Sequence, residues 1–531
     1  MIKLFRTLFV GALAIVAVGC IENDVPYPVV KLDILALDAE GLKSQPQIDA
    51  VSKSVKLDLE ETTDIRNVKI NSITTTEGAT SSVSFPGSFD LRTPLYVELS
   101  KYQTYEWTIS AEQTIERYYM VEGQIGESKI DAEHHVATAL VPMDHDMKSV
   151  TITALKLGPK DITTYSVDFA ELTDFSDDSM RQVTVSYHDD IVETWTLQVI
   201  PTDVEIEFKG VDAWARRIWL YAEGRSGADL GFKYRKAGDE EWLAVNDITV
   251  NGGSFSACIG DLETLTEYEV VAYSNDSFTD VVKVTTEDLF ELPNAGFEEW
   301  STVNNVVCPY IDTPFWGSGN DGAAMASTTL TEPTEDVRPG SEGKYAASLQ
   351  SKKAALMGIG KFAAGNIFLG EFGGLVGLDG LVNFGRPTTA RPVALHGWVK
   401  YNCGAIDELG RVPSARPDLK KGDMDEGQIM IAVGNWTAEE YGGSADCPVV
   451  VNTKDESTYF DKEGKNVIGV GEMILTESTD GWMEFTLPLE YRTTSEVPTH
   501  MIIVCTGSRF GDYFTGSTQS LMLVDDLELI Y

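Results

Sequence analysis

Positive charge is what this chain has least of. Its 83 acidic side chains outnumber 41 Lys and Arg, for a formal net charge of −42. Nucleic acid, whose phosphates require a basic footprint, is argued against, and so is electrostatic docking on anionic lipid. The acidic surplus serves solubility through self-repulsion. Histidine is scarce, with six in 531 residues. The two beyond residue 290, His396 and His500, lie within or just before a strand, away from any nucleophile motif. There is no GxSxG, no HExxH and no phosphate-cradling glycine loop. Cysteines show neither a CxxC nor zinc-ligand spacing to His. Helical periodicity is missing beyond residue 24, and no apolar run reaches the ~20 residues that cross a bilayer.

What is present is length, alternation and a distinctive start. A chain of 531 residues with 43% hydrophobic residues and ten Trp is too long for one core, so several domains are expected. At the N-terminus, Lys3 and Arg6 precede an apolar run from Leu8 to Val18, then Gly19 and Cys20. This fits a secretory signal over residues 1–19. Ala17-Val18-Gly19-Cys20 resembles a lipobox, with Ala17 where Leu is usual, so Cys20 is the expected lipidation site. The alternative is a plain signal peptide cut near Gly19. Residues 20–28 form an acidic tether whose Ile21-Glu22-Asn23-Asp24 resembles the export tags of Bacteroidetes surface lipoproteins. The expected location is the outer membrane, exposed at the cell surface, or alternatively its periplasmic face. Membrane attachment is through the lipid alone, each buried CH₂ contributing ~0.8 kcal/mol. Five cysteines remain after Cys20, an odd number in a compartment that permits disulfides, so at least one thiol stays free.

From there on the pattern is all-β: short alternating runs of Val, Ile, Thr, Tyr and Trp between Gly, Asp, Asn and Ser clusters. Ile48-Asp49-Ala50 returns as Ile130-Asp131-Ala132, Asp64 and Val68 as Asp146 and Val150, and Tyr105-Glu106-Trp107-Thr108 as Glu193-Thr194-Trp195-Thr196. Three matches in order predict two copies of an Ig-like β-sandwich, residues 29–114 and 115–201. Residues 203–287 resemble a fibronectin type III domain, with Leu262, Leu265 and Tyr268 placing Tyr268 as the corner tyrosine whose hydroxyl bonds backbone.

Residues 290–531 are richer in Gly and aromatics. Leu395, Gly397, Val399 and Tyr401 share one strand face, and His396, Trp398 and Lys400 the other. A β jelly roll is the natural architecture. In order, Asn294-Ala295-Gly296-Phe297-Glu298, Phe315-Trp316-Gly317, Lys344-Tyr345-Ala346, Gly385-Arg386-Pro387, Trp398-Val399-Lys400-Tyr401 and Val524-Asp525-Asp526-Leu527-Glu528-Leu529 resemble the "Putative carbohydrate metabolism domain" family of Bacteroidetes lipoproteins. The resemblance implies a jelly roll related to galactose-binding-like modules, and no particular reaction.

Parity in the last strand groups Asp525 with Leu521, Leu523, Leu527 and Leu529, facing the core. A carboxylate there must be paired or bind a metal. Glu298 and Asp525 are the candidate ligands of a structural calcium, which the resemblance implies at this seam. The competing reading is that Asp525 accepts backbone N–H groups or pairs with an Arg. Asp423-Met424-Asp425-Glu426-Gly427 is read as a solvated turn, and Gly370–Gly385 as a close-packed loop.

Sugar binding requires aromatic faces and placed polar groups. The candidates are Trp316 with Asn320, Asn435-Trp436, and Arg509, Phe510, Asp512 and Tyr513 in a loop at a sheet end. Trp316 or Trp436 taken alone is better read as plugging a loop against the sandwich; the set suggests a shared glycan-facing surface. The favoured expectation is a surface-anchored, non-catalytic lipoprotein that binds poly- or oligosaccharide, with the sandwiches as spacer. One alternative is a glycoside hydrolase or lyase on the same jelly roll, which needs two carboxylates ~5–9.5 Å apart. The other is an adhesive or complex-forming subunit with an outer-membrane protein partner.

Overall fold

Alternating side chains set nearly every element. The computed structural model describes residues 30–50, 52–356, 359–377 and 379–531. The signal segment, Cys20 and the tether to residue 28 lie outside the described residues. The chain divides into two compact units, one ending at Ile115 and one spanning Glu116–Tyr531.

In the first unit, a three-stranded sheet (Ile34–Ala39, Val68–Thr75, Gly87–Phe89) and a five-stranded sheet enclose Trp107, which is fully buried. Strand Ser54–Leu59 runs parallel to Thr104–Gln113. The second repeat builds the same parallel pair from Val136–Pro142 and Ile191–Thr202 around a fully buried Trp195. The repeated aspartates do the same work: Asp64 accepts from Arg66 N and Asp146 from Lys148 N, each at 3.0 Å, just before the buried Val68 and Val150.

Residues 206–285 form a further sandwich of a four-stranded and a five-stranded sheet. The Tyr268 hydroxyl accepts from Glu263 N at 3.1 Å, the corner bond expected of it. This sandwich is fastened to the C-terminal module. Trp214 Nε1 donates to Thr494 O at 3.0 Å, and its ring lies 4.6 Å from that of Tyr491. Arg391, 5% exposed, reaches Glu287 Oε1 at 2.7 Å, Ala213 O at 2.6 Å and Thr494 O at 2.7 Å.

The C-terminal module is a jelly roll. Its smaller sheet orders Thr331–Thr334, Ala346–Gln350, Leu521–Ile530, Ala394–Asn402 and Met483–Pro488. Its larger, nine-stranded sheet centres on Asn366–Val376, His500–Thr506 and Gly427–Gly434. Between them lies one core that includes Leu395, Val399, Tyr401, Ile429, Ile431, Ile503 and Leu527.

Two sequence expectations change here. Gly370–Gly385 is not a loop but an antiparallel pair, Asn366–Val376 with Asp379–Phe384. A Cβ on Gly370 would fall 2.2 Å from Asn383 O, so the strand crossing itself demands glycine. In the last strand, Met522 and Val524 join Leu527 and Leu529 in the core. The register shifts between the His396–Glu528 and Trp398–Asp525 pairs, and Asp526 takes a φ of 46°. This bulge reverses parity midway. Asp525 is therefore buried beside Trp398 on the outer face of the sheet, and does not face the core.

Candidate functional site

The larger sheet is apolar on both sides, which a simple sandwich does not require. Its outer face carries Phe368, Phe384, Met430, Ala432 and Ile502 in a second cluster with Trp436. The segment that includes Tyr441, Tyr459 and Phe460 covers part of this face. Over the rest, the hairpin Lys352–Leu356/Ile359–Ala363, the short helix Asn320–Ala323 and the 508–514 loop wall off a cavity of about 260 Å³. Phe368 and Phe384 line it, Phe362, Phe372 and Phe514 join them, and Lys361, Asn366, Gln428, Arg509 and Asp512 supply polar groups.

The 508–514 rim is held by a residue that sequence reasoning placed in solvent. Asp425 is fully buried. Its Oδ2 accepts from Ser508 Oγ at 2.6 Å, Ser517 N at 2.8 Å and Ser520 Oγ at 2.9 Å, and its Oδ1 accepts from Glu426 N at 2.9 Å. Burial raises its pKa, and the donors oppose that rise. The next residue, Glu426, takes Arg509 Nη1 and Arg416 Nη1, each at 2.9 Å. The Asp425-Glu426 pair thus clamps the rim electrostatically, and it is not a solvated turn.

Asp512 lines the cavity, and its carboxylate makes no hydrogen bond among the described residues. Burial pushes its carboxyl up to about 6, against the pull of Arg411. Its backbone carbonyl is held by Arg411 Nη2 at 2.8 Å and Tyr459 OH at 2.7 Å. Phe514 sits at φ 56°, a strained backbone for an aromatic residue, with Lys361 Nζ 3.9 Å above its ring.

The sequence candidates divide. Arg509 and Asp512 line the cavity. Trp316 and Asn320 are 1% and 2% exposed. Trp316 Nε1 donates to Pro293 O at 2.7 Å, and Asn320 bonds the backbone of Val307, Leu330 and Thr331. Trp436 is 3% exposed and meets Phe460 edge-on, and Phe510 packs with Ile406 and Leu419. These four offer no open face to a sugar, because each is buried against its neighbours. Asn435 is half-buried outside the cavity, its Oδ1 without a partner. Tyr513 stands behind the rim, its hydroxyl donating to Glu456 Oε1 at 2.7 Å.

Glu298 and Asp525 both grip the segment between Arg338 and Tyr345. Glu298 accepts from Lys344 N and Tyr345 N, each at 2.9 Å, and Asp525 Oδ2 from Arg338 N at 3.0 Å. Asp526 pairs with Arg338 Nε at 2.6 Å. Asp525 Oδ1 is buried without a partner among the described residues, a hard oxygen that fits calcium. Glu298 retains one lone pair on each oxygen for the same role. No group of three or more His, Cys, Asp or Glu suited to a metal occurs among the described residues.

The described elements define a multi-sandwich protein whose terminal jelly roll carries a ligand-sized, aromatic-lined cavity on its larger sheet. Residues 290–530 match the family model described as "Putative carbohydrate metabolism domain". Among solved structures, a "putative glycoside hydrolase" from Bacteroides thetaiotaomicron is 16% identical, covering 95% of this chain and 98% of that one, with a TM-score of 0.31. A second, from Bacteroides vulgatus, is 22% identical over 44% of this chain and 96% of that one, with a TM-score of 0.33. Likeness at these values carries no argument about activity. No curated protein matches the chain.

Proposed function

We propose that the C-terminal jelly roll binds glycan, without cleaving it, in the cavity on the outer face of its larger sheet. The observation that carries this reading is the lining: the half-buried rings of Phe372 and Phe514 beside Lys361, Arg509 and Asp512. Aromatic rings offer faces for the apolar side of a sugar ring, and a few placed polar groups select its hydroxyls. The match of residues 290–530 to the family model supports a carbohydrate-related role. Acylation of Cys20 would hold the chain at the outer membrane, with the sandwiches as spacer. Retention of the intact chain on a glycan array tests the binding, and loss of palmitate labelling in Cys20→Ala tests the anchor. An array without a single retained glycan would overturn the proposal.

One observation favours a second reading, a glycoside hydrolase: the carboxyl of Asp512, raised to about 6, suits a general acid. Asp512 is the one carboxylate among the described residues lining this cavity, whereas Asp379 and Glu408 line its neighbour. Release of reducing ends by the wild type, abolished in Asp512→Asn, would favour hydrolysis over binding.

A further inference from the structure

A second cavity, of about 490 Å³, adjoins the first across Lys361, Phe362 and Phe514. Its charged lining is Lys361, Arg411 and Lys454 against Asp379 and Glu408. Both acids are already engaged: Asp379 by Lys361 at 2.7 Å, and Glu408 by Lys353 at 2.8 Å. Arg411 and Lys454 have no carboxylate within ion-pairing distance among the described residues. Arg411 is instead anchored by neutral oxygens, namely Thr453 O, Tyr459 OH at 2.6 Å, Asp512 O at 2.8 Å and Lys454 O at 3.3 Å. These bonds fix the guanidinium and bring no carboxylate into contact with it, although the nearby Asp512 carboxyl feels its charge, and among the described residues its Nε–H has no acceptor. The exposed ammonium of Lys454 has no partner among the described residues. Two unpaired cations thus share a concave site in a chain whose formal charge is −42.

Between the cavities stands Phe514. Lys361 Nζ lies 3.9 Å from its ring centroid and the Arg411 guanidinium carbon 5.9 Å. A half-buried aromatic ring flanked by fixed cations matches a sugar that carries an acid: the ring stacks on the aromatic face while the anion meets the guanidinium and ammonium. We infer that this second cavity is a subsite for an anionic sugar residue, a uronate or a sulfated sugar, bound by Arg411 and Lys454 beside Phe514. The inference rests on the glycan-binding reading and names the class of glycan. The acidic surplus elsewhere does not forbid it. At physiological ionic strength charges beyond ~8 Å are largely screened, whereas pairs in contact persist.

The test is affinity electrophoresis of the intact chain through gels containing polygalacturonate, its neutral methyl ester, a sulfated galactan or a neutral β-glucan. Retardation on at least one acidic polymer is expected, and the uronate and sulfate gels tell which acid is bound. Lys454→Ala removes a partnerless exposed side chain, so it should leave the melting temperature unchanged and weaken acidic binding about tenfold. Arg411→Lys keeps the charge, loses the fork, and should weaken it as well. Lys148→Ala, at a remote exposed position, should bind as wild type does. Retention on neutral polymers alone would overturn this inference and leave glycan binding standing, and retention on none would overturn both. Equal loss in Lys148→Ala would reduce the effect to general charge and also overturn the subsite.

Discussion

Ser508 Oγ donates to Asp425 Oδ2 at 2.6 Å, and this bond seats the cavity rim on the core. Asp425 lies two residues before one central strand of the larger sheet, Gly427–Gly434, while Ser508 follows another and lines the cavity. Asp425→Ala would leave the Ser508 and Ser520 hydroxyls and the Ser517 amide without their acceptor. Each buried unsatisfied group costs ~1–3 kcal/mol. Chemical denaturation should therefore show a loss of at least ~2 kcal/mol, with Asp425→Asn losing less. A variant as stable as the wild type would contradict the clamp.

The buried tryptophans and the rim phenylalanine should separate stability from binding. Trp316→Ala and Trp436→Ala remove filled core volume and should cost ~3–5 kcal/mol. Phe514→Gly removes a half-buried ring, and glycine accepts the φ of 56° that strains phenylalanine. It should therefore cost little stability and most of the glycan affinity. Thermal melts beside affinity gels would read both quantities. Wild-type retention in Phe514→Gly would exclude the ring from the site.

The cavity was only partly legible in the sequence. Alternation gave the jelly-roll strands, and Leu395–Tyr401 fell on the faces it assigned. Arg509 and Asp512 were found because a loop follows a strand end. The outer-face cavity was missed, although Ile429-Met430-Ile431-Ala432-Val433 and Ile502-Ile503-Val504-Cys505 are continuous apolar runs rather than alternating ones. Such runs mark strands covered on both faces. Trp316 and Trp436 stand among the candidates because sequence does not distinguish a loop aromatic that faces out from one that plugs a core. The parity of Asp525 failed at a bulge, since an inserted residue leaves no trace in a period of two. Asp425 looked solvated because its serine partners lie some ninety residues away.

Asp512 gives the pH dependence a definite sign. Its carboxyl in the folded chain is raised to about 6, above the ~3.9 of an unfolded chain. Between those values the folded state holds a proton that the unfolded state has released, so its contribution to stability falls as pH rises from about 4 to 6. Asp512→Asn removes that penalty. Relative to the wild type, its melting temperature should be higher at pH 7.5 than at pH 4.5. A difference independent of pH would contradict the raised carboxyl.

Calcium is expected to act at the seam between the opening segment and the last strand. Asp525 Oδ1 is buried without a partner among the described residues, so a divalent cation reaching it and Glu298 would relieve an uncompensated carboxylate. Millimolar calcium should raise the melting midpoint of the wild type and leave that of Asp525→Asn unmoved. The absence of any shift in the wild type would exclude the metal.

Arg391 should determine whether the 206–285 sandwich and the jelly roll unfold together. Its removal strands Glu287 and two carbonyls at a largely buried joint, at a cost of ~3 kcal/mol or more. Calorimetry of Arg391→Ala should resolve a separate transition that the wild type lacks. An unchanged single transition would place the coupling elsewhere, in the tilted Trp214–Tyr491 ring contact.

Glycan binding in the cavity is tested most directly by isothermal titration of the intact chain with a polysaccharide that retards it in gels, run in parallel on Phe514→Gly. Saturable binding by the wild type, with affinity at least about tenfold weaker in the folded variant, is the predicted result. Equal affinity in the two proteins would contradict the account.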